Sequence, residues 1–75
     1  MRAYIVISTE PGRSRDVARQ IAGLPGVKMA DACWRSRDVF AVVEVRGSQE
    51  LNELVMDQIQ SLIGVKETSA HIALD

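Results

Sequence analysis

The chain has little of what usually staples a small protein together. Its 75 residues include one cysteine, Cys33, and one histidine, His71. A lone cysteine excludes an internal disulfide, and no Cys/His cluster has the spacing of metal ligands. Neither a metal nor a cofactor is expected. Aromatics are scarce, one each of Trp, Tyr and Phe, and no Gly/Ser- or Pro-rich linker interrupts the chain. Met1-Arg2-Ala3 leads into an apolar run too short for a signal-peptide core or a membrane span, so a cytoplasmic protein without membrane contact is the expectation. An excess of one charge is lacking too. Nine basic and ten acidic residues leave a net charge of −1, which carries no electrostatic footprint for direct nucleic-acid binding.

What is present is a globular composition, 47% hydrophobic and 25% charged. A single domain over residues 1–75 is expected. A chain of this size buries only about 60% of the surface it exposes when unfolded. Without disulfide or metal, idealised packing or self-association must supply the rest.

"AYIVIST" (residues 3–9) is β-branched, aromatic and apolar, and reads as a strand. "EPGR" follows as a turn punctuated by Pro11 and Gly12. Ser14 is the expected N-cap of a helix, with Asp16 in its first turn. Val17, Ile21 and Leu24, with Ala18 and Ala22, form its apolar stripe, and Pro25-Gly26 stops it. Val27 to Trp34 is a second strand, weaker in pattern, and "RSR" a hairpin turn. "DVFAVVEV" (residues 38–45) is the strongest strand pattern of all. Ser48 is placed to cap a second helix with the stripe Leu51, Leu54, Val55, Gln58, Ile59 and Leu62. Gly64 ends that helix, and Val65 to Leu74 is the last strand.

The chain also repeats itself. "LPGVK" (residues 24–28) returns as "LIGVK" (residues 62–66), 38 positions on. At that shift Ile5 falls on Val43, Ile7 on Val45, Val17 on Val55, Gln20 on Gln58, Ile21 on Ile59 and Leu24 on Leu62. Each half is therefore one βαβ unit, with a right-handed crossover expected. Two interleaved units predict an α+β fold, the ferredoxin-like βαββαβ arrangement, with a four-stranded antiparallel sheet and two helices on one face. The other face should then be polar. Instead Phe40 and Val42 oppose Val39, Ala41, Val43 and Val45, and the first strand is apolar on both sides as well. A face of that kind on so small a chain predicts a dimer.

Chemistry-bearing residues are few. His71 reads as a general base or as an ordinary strand side chain, and no nucleophile or carboxylate is anchored beside it by sequence. Cys33 is near Arg35 and Arg37, which can favour a thiolate, but a lone cysteine equally reads as a small buried hydrophobe. Asp38, Glu44 and Glu67 show no paired spacing for acid/base work. Arg13, Arg15 and Arg19 read as a solvated basic face. "PGR" after the first strand has too few glycines and no lysine for a phosphate loop. "CWRSRD" (Cys33 to Asp38) is richer, gathering the only tryptophan, two arginines and an aspartate around one tight turn. Such a set suits a zwitterion, with Asp38 for an ammonium and an arginine for a carboxylate. It reads alternatively as a charged hairpin with Trp34 packed into the core or an interface.

With these segments in order, the chain resembles the effector-sensing domain of the Lrp/AsnC regulators, the module for regulation of amino acid metabolism. The resemblance rests on the opening strand, "EPGR", "LPGV", the hairpin entering "RDVFAVVEV", the long helix and "IGVKET" before the closing strand. It covers nearly the whole chain and looks like a stand-alone form of the module, a ligand-binding domain expected to have no DNA-binding domain. It implies a non-enzymatic homodimer assembling into a higher oligomer. It also implies an inter-dimer site for a small effector, usually an amino acid, and association with a full-length regulator. The family's hairpin carries a glycine, two variable residues and an aspartate. Here Asp38 matches and Arg35 stands at the glycine. A threonine, any residue, threonine pattern follows near the end, where Thr68 matches and Ala70 replaces the second threonine. The site residues so implied are Trp34, Arg35, Arg37, Asp38, Thr68 and Ala70. The competing expectation is a dimeric α+β barrel enzyme of the antibiotic-biosynthesis monooxygenase type, for which Trp34 and His71 are the candidates.

Overall fold

In the computed structural model, which describes residues 1–74, the elements run β1 (Arg2–Thr9), α1 (Ser14–Ala22), β2 (Val27–Ala32), β3 (Asp38–Glu44), α2 (Ser48–Glu53) and β4 (Val65–Ile72). α2 continues directly into a π-helix, Leu54–Ile59. The expected βαββαβ order is present. The sheet has the order β2-β3-β1-β4, and its three pairings are antiparallel. The two most apolar strands, β1 and β3, are thus central, and β2 and β4 form the edges.

Alternation decides the two faces. Ala3, Ile5 and Ile7 of β1 and Val39, Ala41 and Val43 of β3 point under the helices and are buried. They pack with Val17, Ala18 and Ile21 of α1 and with Leu51, Leu54, Val55 and Ile59 of the second helix. The opposite face carries Tyr4, Phe40 and Met29, which are 45%, 48% and 50% exposed, with Val6 and Val42 half-buried between them. An Arg2–Glu44 ion pair at 3.5 Å borders this patch. The face without helices is therefore apolar at its centre, as the pattern predicts.

The repeated pentapeptide is a helix-to-strand joint used twice. Gly26 and Gly64 have φ of 89° and 99°, which L side chains reach only with strain. In each joint the valine N–H donates to the leucine carbonyl three residues back, Val27 to Leu24 and Val65 to Leu62, both at 3.2 Å. Each glycine carbonyl accepts a bond from the other half, Gly26 from the Glu44 N–H and Gly64 from the Glu10 N–H, both at 2.8 Å.

The structure corrects several boundaries. Cys33 and Trp34 lie beyond β2, Val45 beyond β3, and Ala73 and Leu74 beyond β4. Arg13 and Gly47, not Ser14 and Ser48, hold the N-cap positions, and neither helix has a side-chain cap from that position. The reason at α1 is the "EPGR" turn: the Arg13 N–H closes it on the Glu10 carbonyl at 3.1 Å, and the Arg13 carbonyl starts the helix by accepting from Val17 at 2.9 Å. At α2, Glu50 reaches back instead, its carboxylate accepting from the Arg46 N–H at 3.3 Å and the Arg46 Nε at 3.1 Å. Those bonds pull the Glu50 carboxyl below the usual carboxylate range.

The second helix also departs from a uniform α pattern. Gln58 sits in the expected apolar stripe, yet it is exposed while Ile59 is fully buried. The same holds in α1, where Gln20 is exposed beside the fully buried Ile21, so this position lies at the edge of the stripe. The Gln60 N–H donates to the Val55 carbonyl, five residues back, at 2.9 Å.

Candidate functional site

The hairpin between β2 and β3 gathers most of the residues singled out in the sequence. It is closed by the Cys33 N–H donating to the Asp38 carbonyl at 3.2 Å and turned by the Ser36 N–H donating to the Cys33 carbonyl at 3.3 Å. Trp34 and Arg35 are the central residues of that turn. Arg35 has φ of 59°, the left-handed value that the third position of a type II turn requires and that glycine adopts most easily. Its guanidinium lies over the Trp34 ring, 4.8 Å from the centroid, a favourable cation–π distance. Trp34 is 87% exposed, so the reading that packs it into this chain's own core does not hold.

Two contacts pin the hairpin to the sheet. Buried Thr9, at the end of β1, donates both its N–H and its Oγ1–H to the Arg37 carbonyl, each at 2.8 Å. The Ser36 hydroxyl accepts from the Asp38 N–H at 3.0 Å. Between the hairpin and the first turn of α1 is a cleft of about 440 Å³ whose polar walls are Ser14, Arg15, Arg35, Ser36 and Arg37. Ala32, Cys33 and Trp34 complete it.

Sequence reasoning missed Ser14 and Arg15 as members of this cleft. The three arginines at the start of α1 do not act as one solvated face. Arg13 packs at Gly64, Arg19 faces Asp16 at 3.9 Å, and Arg15 turns to the hairpin. Helical geometry does not separate them, since Arg15 and Arg19 are four residues apart and share one face of α1. Only the position of the hairpin decides which of them joins it.

Other predicted site residues lie elsewhere. Asp38 is paired with Ser8 and points to the face without helices, outside the cleft. Thr68 and Ala70 are on β4, the far edge of the sheet. The Thr68 hydroxyl accepts from Gln60 Nε2 at 2.7 Å. Ala70 lines a separate groove of about 550 Å³ between α2 and β4, with Leu51, Asn52 and Val55. Thr68 and Ala32 are level in the ladder, both through Ile7 and Val39. Three strand spacings, about 14 Å, separate them. Within one chain, the hairpin residues and the β4 residues do not meet.

The candidates for enzyme chemistry do not meet either. His71 is exposed, pairs across the ladder with Tyr4 and shares a hydrogen bond with the Ser69 hydroxyl at 2.8 Å. It sits at the opposite edge and opposite end of the sheet from Trp34. Among the described residues no helix is long and apolar enough to cross a membrane.

Residues 2–75 match the family model of the Lrp/AsnC ligand binding domain. The chain belongs to this family. An uncharacterized HTH-type transcriptional regulator of Pyrococcus abyssi is 31% identical over 70 residues, covering 93% of this chain and 44% of its own length. The chain thus spans less than half of that curated relative. The crystal structure of a Thermus thermophilus protein superposes with a TM-score of 0.90 at 28% identity, over 99% of this chain and 92% of that one. A transcriptional regulator of Neisseria meningitidis, solved in complex with L-Met, shares the fold at a TM-score of 0.83 and 20% identity, over 99% of this chain and 49% of that one. The Lrp/AsnC fold is therefore common to chains of this size and to much longer regulators.

Proposed function

We propose that this Lrp/AsnC domain is a non-enzymatic, oligomeric effector module. It takes a small molecule of the amino acid class between dimers and acts on transcription by associating with a full-length regulator. The observation that carries this reading is the separation of the hairpin from β4. A site built from Trp34, Arg35 and Arg37 together with Thr68 and Ala70 has to span about 14 Å within one chain. The hairpin of one copy placed against the β4 edge of another brings the two sets together without that span.

The apolar centre of the sheet supports the assembly. Tyr4, Phe40 and Met29 are half-exposed on the face without helices, and a second copy covers them symmetrically. An effector bound between dimers then shifts the equilibrium among assemblies by its differential affinity for them. The L-Met complex of the Neisseria meningitidis regulator makes amino acids the first ligands to try. The experiment is light scattering coupled to size exclusion, at fixed protein concentration, with and without each amino acid. A dimer or larger particle whose size or melting temperature responds to an amino acid is expected. A monomer rejects the reading, and an assembly indifferent to all of them rejects the amino acid as its effector.

A further inference from the structure

The cleft at the hairpin carries more positive charge than a zwitterion needs. Three arginines, Arg15, Arg35 and Arg37, line it together with Ser14 and Ser36. Among the described residues, no carboxylate lines the cleft, and none of the three arginines is in an ion pair. This occurs in a chain whose acids outnumber its bases, so nearby counter-charge is not scarce. It is turned away. Asp16, on the same helix turn as Arg15, is engaged by Gln20 at 3.0 Å and Arg19 at 3.9 Å. Asp38, the group suited to an ammonium, faces the other side of the sheet.

Three like charges around one space repel each other until an anion joins them. The arrangement is also held in place. Arg35 occupies a left-handed position that favours glycine, and Trp34 beneath its guanidinium restricts where the planar fork can point. Thr9 fixes the backbone of Arg37 by two hydrogen bonds. The repeat supplies an internal control. At a shift of 38, Ser14 and Ala32 of this cleft correspond to Asn52 and Ala70 of the groove beside α2, and Arg15 corresponds to Glu53. The equivalent groove carries no arginine. The charge belongs to this cleft and not to the fold.

We propose that the hairpin cleft binds a small polyanion through Arg15, Arg35 and Arg37, its charge carried by phosphate or by clustered carboxylates. The inference rests on the hairpin being an effector site and names the chemical class of what it takes. A guanidinium fork meets phosphate and carboxylate oxygens in the same two-pronged geometry, so the experiment separates the two sources.

The test is titration calorimetry on the whole chain with pyrophosphate, citrate and L-methionine, at low and high salt. Pyrophosphate, citrate or both are expected to bind, and the tighter of the two identifies the source. Affinity should fall at least tenfold in Arg15→Gln and in Arg35→Gly, stay unchanged in Arg19→Gln, and weaken several-fold as salt is raised. Glycine takes the turn conformation without strain, so Arg35→Gly is expected to keep its melting temperature within a few degrees, and lost binding is not lost folding. Binding of neither polyanion overturns the proposal, as does an equal loss in Arg19→Gln. L-Methionine binding without either polyanion overturns it while the effector module stands. Polyanion binding without any response to amino acids sustains it and removes the amino acid from the broader reading.

Discussion

Two clefts occupy equivalent places in the two halves of the chain, and they differ in chemistry. The first lies between α1 and the β2–β3 hairpin, the second between α2 and β4. Ser14 and Ala32 in one match Asn52 and Ala70 in the other at the 38-residue shift. The first is walled by arginines because the chain turns back after β2 and folds Arg35 and Arg37 over it. The second is neutral and partly apolar, lined by Ser48, Gln49, Leu51, Asn52, Val55 and Ala70. The helices beside them differ as well. Val17 and Ile21 are buried like their counterparts Val55 and Ile59, but α1 adds Ala18 where the second helix adds Leu54. Met56, the counterpart of Ala18, is 54% exposed. A repeat thus preserves the points where a helix touches the sheet and leaves the rest of each half free to diverge.

The strongest test of that comparison removes the shared anchors. Ile21→Ala and Ile59→Ala each truncate a fully buried side chain and should cost about 2–5 kcal/mol. That is a large share of the stability of a domain this small. Urea denaturation at fixed protein concentration reads both losses. Nearly equal values support equivalent anchors, and a much smaller loss at Ile59 shows that the π-helical turns collapse to fill the space.

Next come the joints. Gly26→Ala and Gly64→Ala both force a side chain into left-handed backbone, at about 1–3 kcal/mol each. Gly26→Ala should cost more. Its new Cβ would stand 3.0 Å from the Glu44 carbonyl oxygen, a backbone atom of the adjoining strand, whereas at Gly64 the obstacle is the Arg13 side chain at 3.1 Å. Denaturation midpoints of the two variants give the order, and the reverse order breaks the argument from backbone rigidity.

Thr9→Val acts on the first cleft alone. It keeps the β-branched shape and the backbone bond but removes the Oγ1 hydrogen bond to the Arg37 carbonyl. A loss of about 1 kcal/mol is expected. Amide hydrogen exchange should quicken in the hairpin and stay unchanged in β4.

Glu50→Gln acts on the second cleft's helix and is the smallest effect. The Glu50 carboxyl is held below its ordinary range by the Arg46 hydrogen bonds. A lowered folded-state value means that the contribution is present above the unfolded-state value and lost as pH falls through the folded one. The melting temperatures of the native chain and Glu50→Gln should therefore differ at neutral pH and converge in acid. A gap that persists below the carboxylate range contradicts the assignment.

Much of the fold is legible in the residues because it rests on local periodicity. Alternation in β1 and β3, the two helical stripes and the repeated glycine joints are all short-range signals. Helix starts are less legible: Ser14 and Ser48 look like caps, but the turn closed by Arg13 and the reach of Glu50 to Arg46 shift each start by one residue. Gln58 is the clearest misfit. A 3.6-residue period puts it in the stripe, yet it and its counterpart Gln20 both stand exposed at the stripe's edge. For the candidate site, "CWRSRD" marks the hairpin by composition alone, whereas Arg15 is 20 positions before Arg35 and nothing local joins them.

The amino-acid sequence by itself determined the order of elements, the doubled βαβ plan and an apolar second face on the sheet, since each follows from side-chain alternation and from where glycine breaks a helix. Only the tertiary structure decided the rest: which arginine of α1 meets the hairpin, that Asp38 turns away from it, and that Trp34 stands in solvent instead of the core. Those outcomes depend on how a helix and a hairpin from distant parts of the chain are rotated against each other. That rotation is set by core packing, which no local pattern encodes.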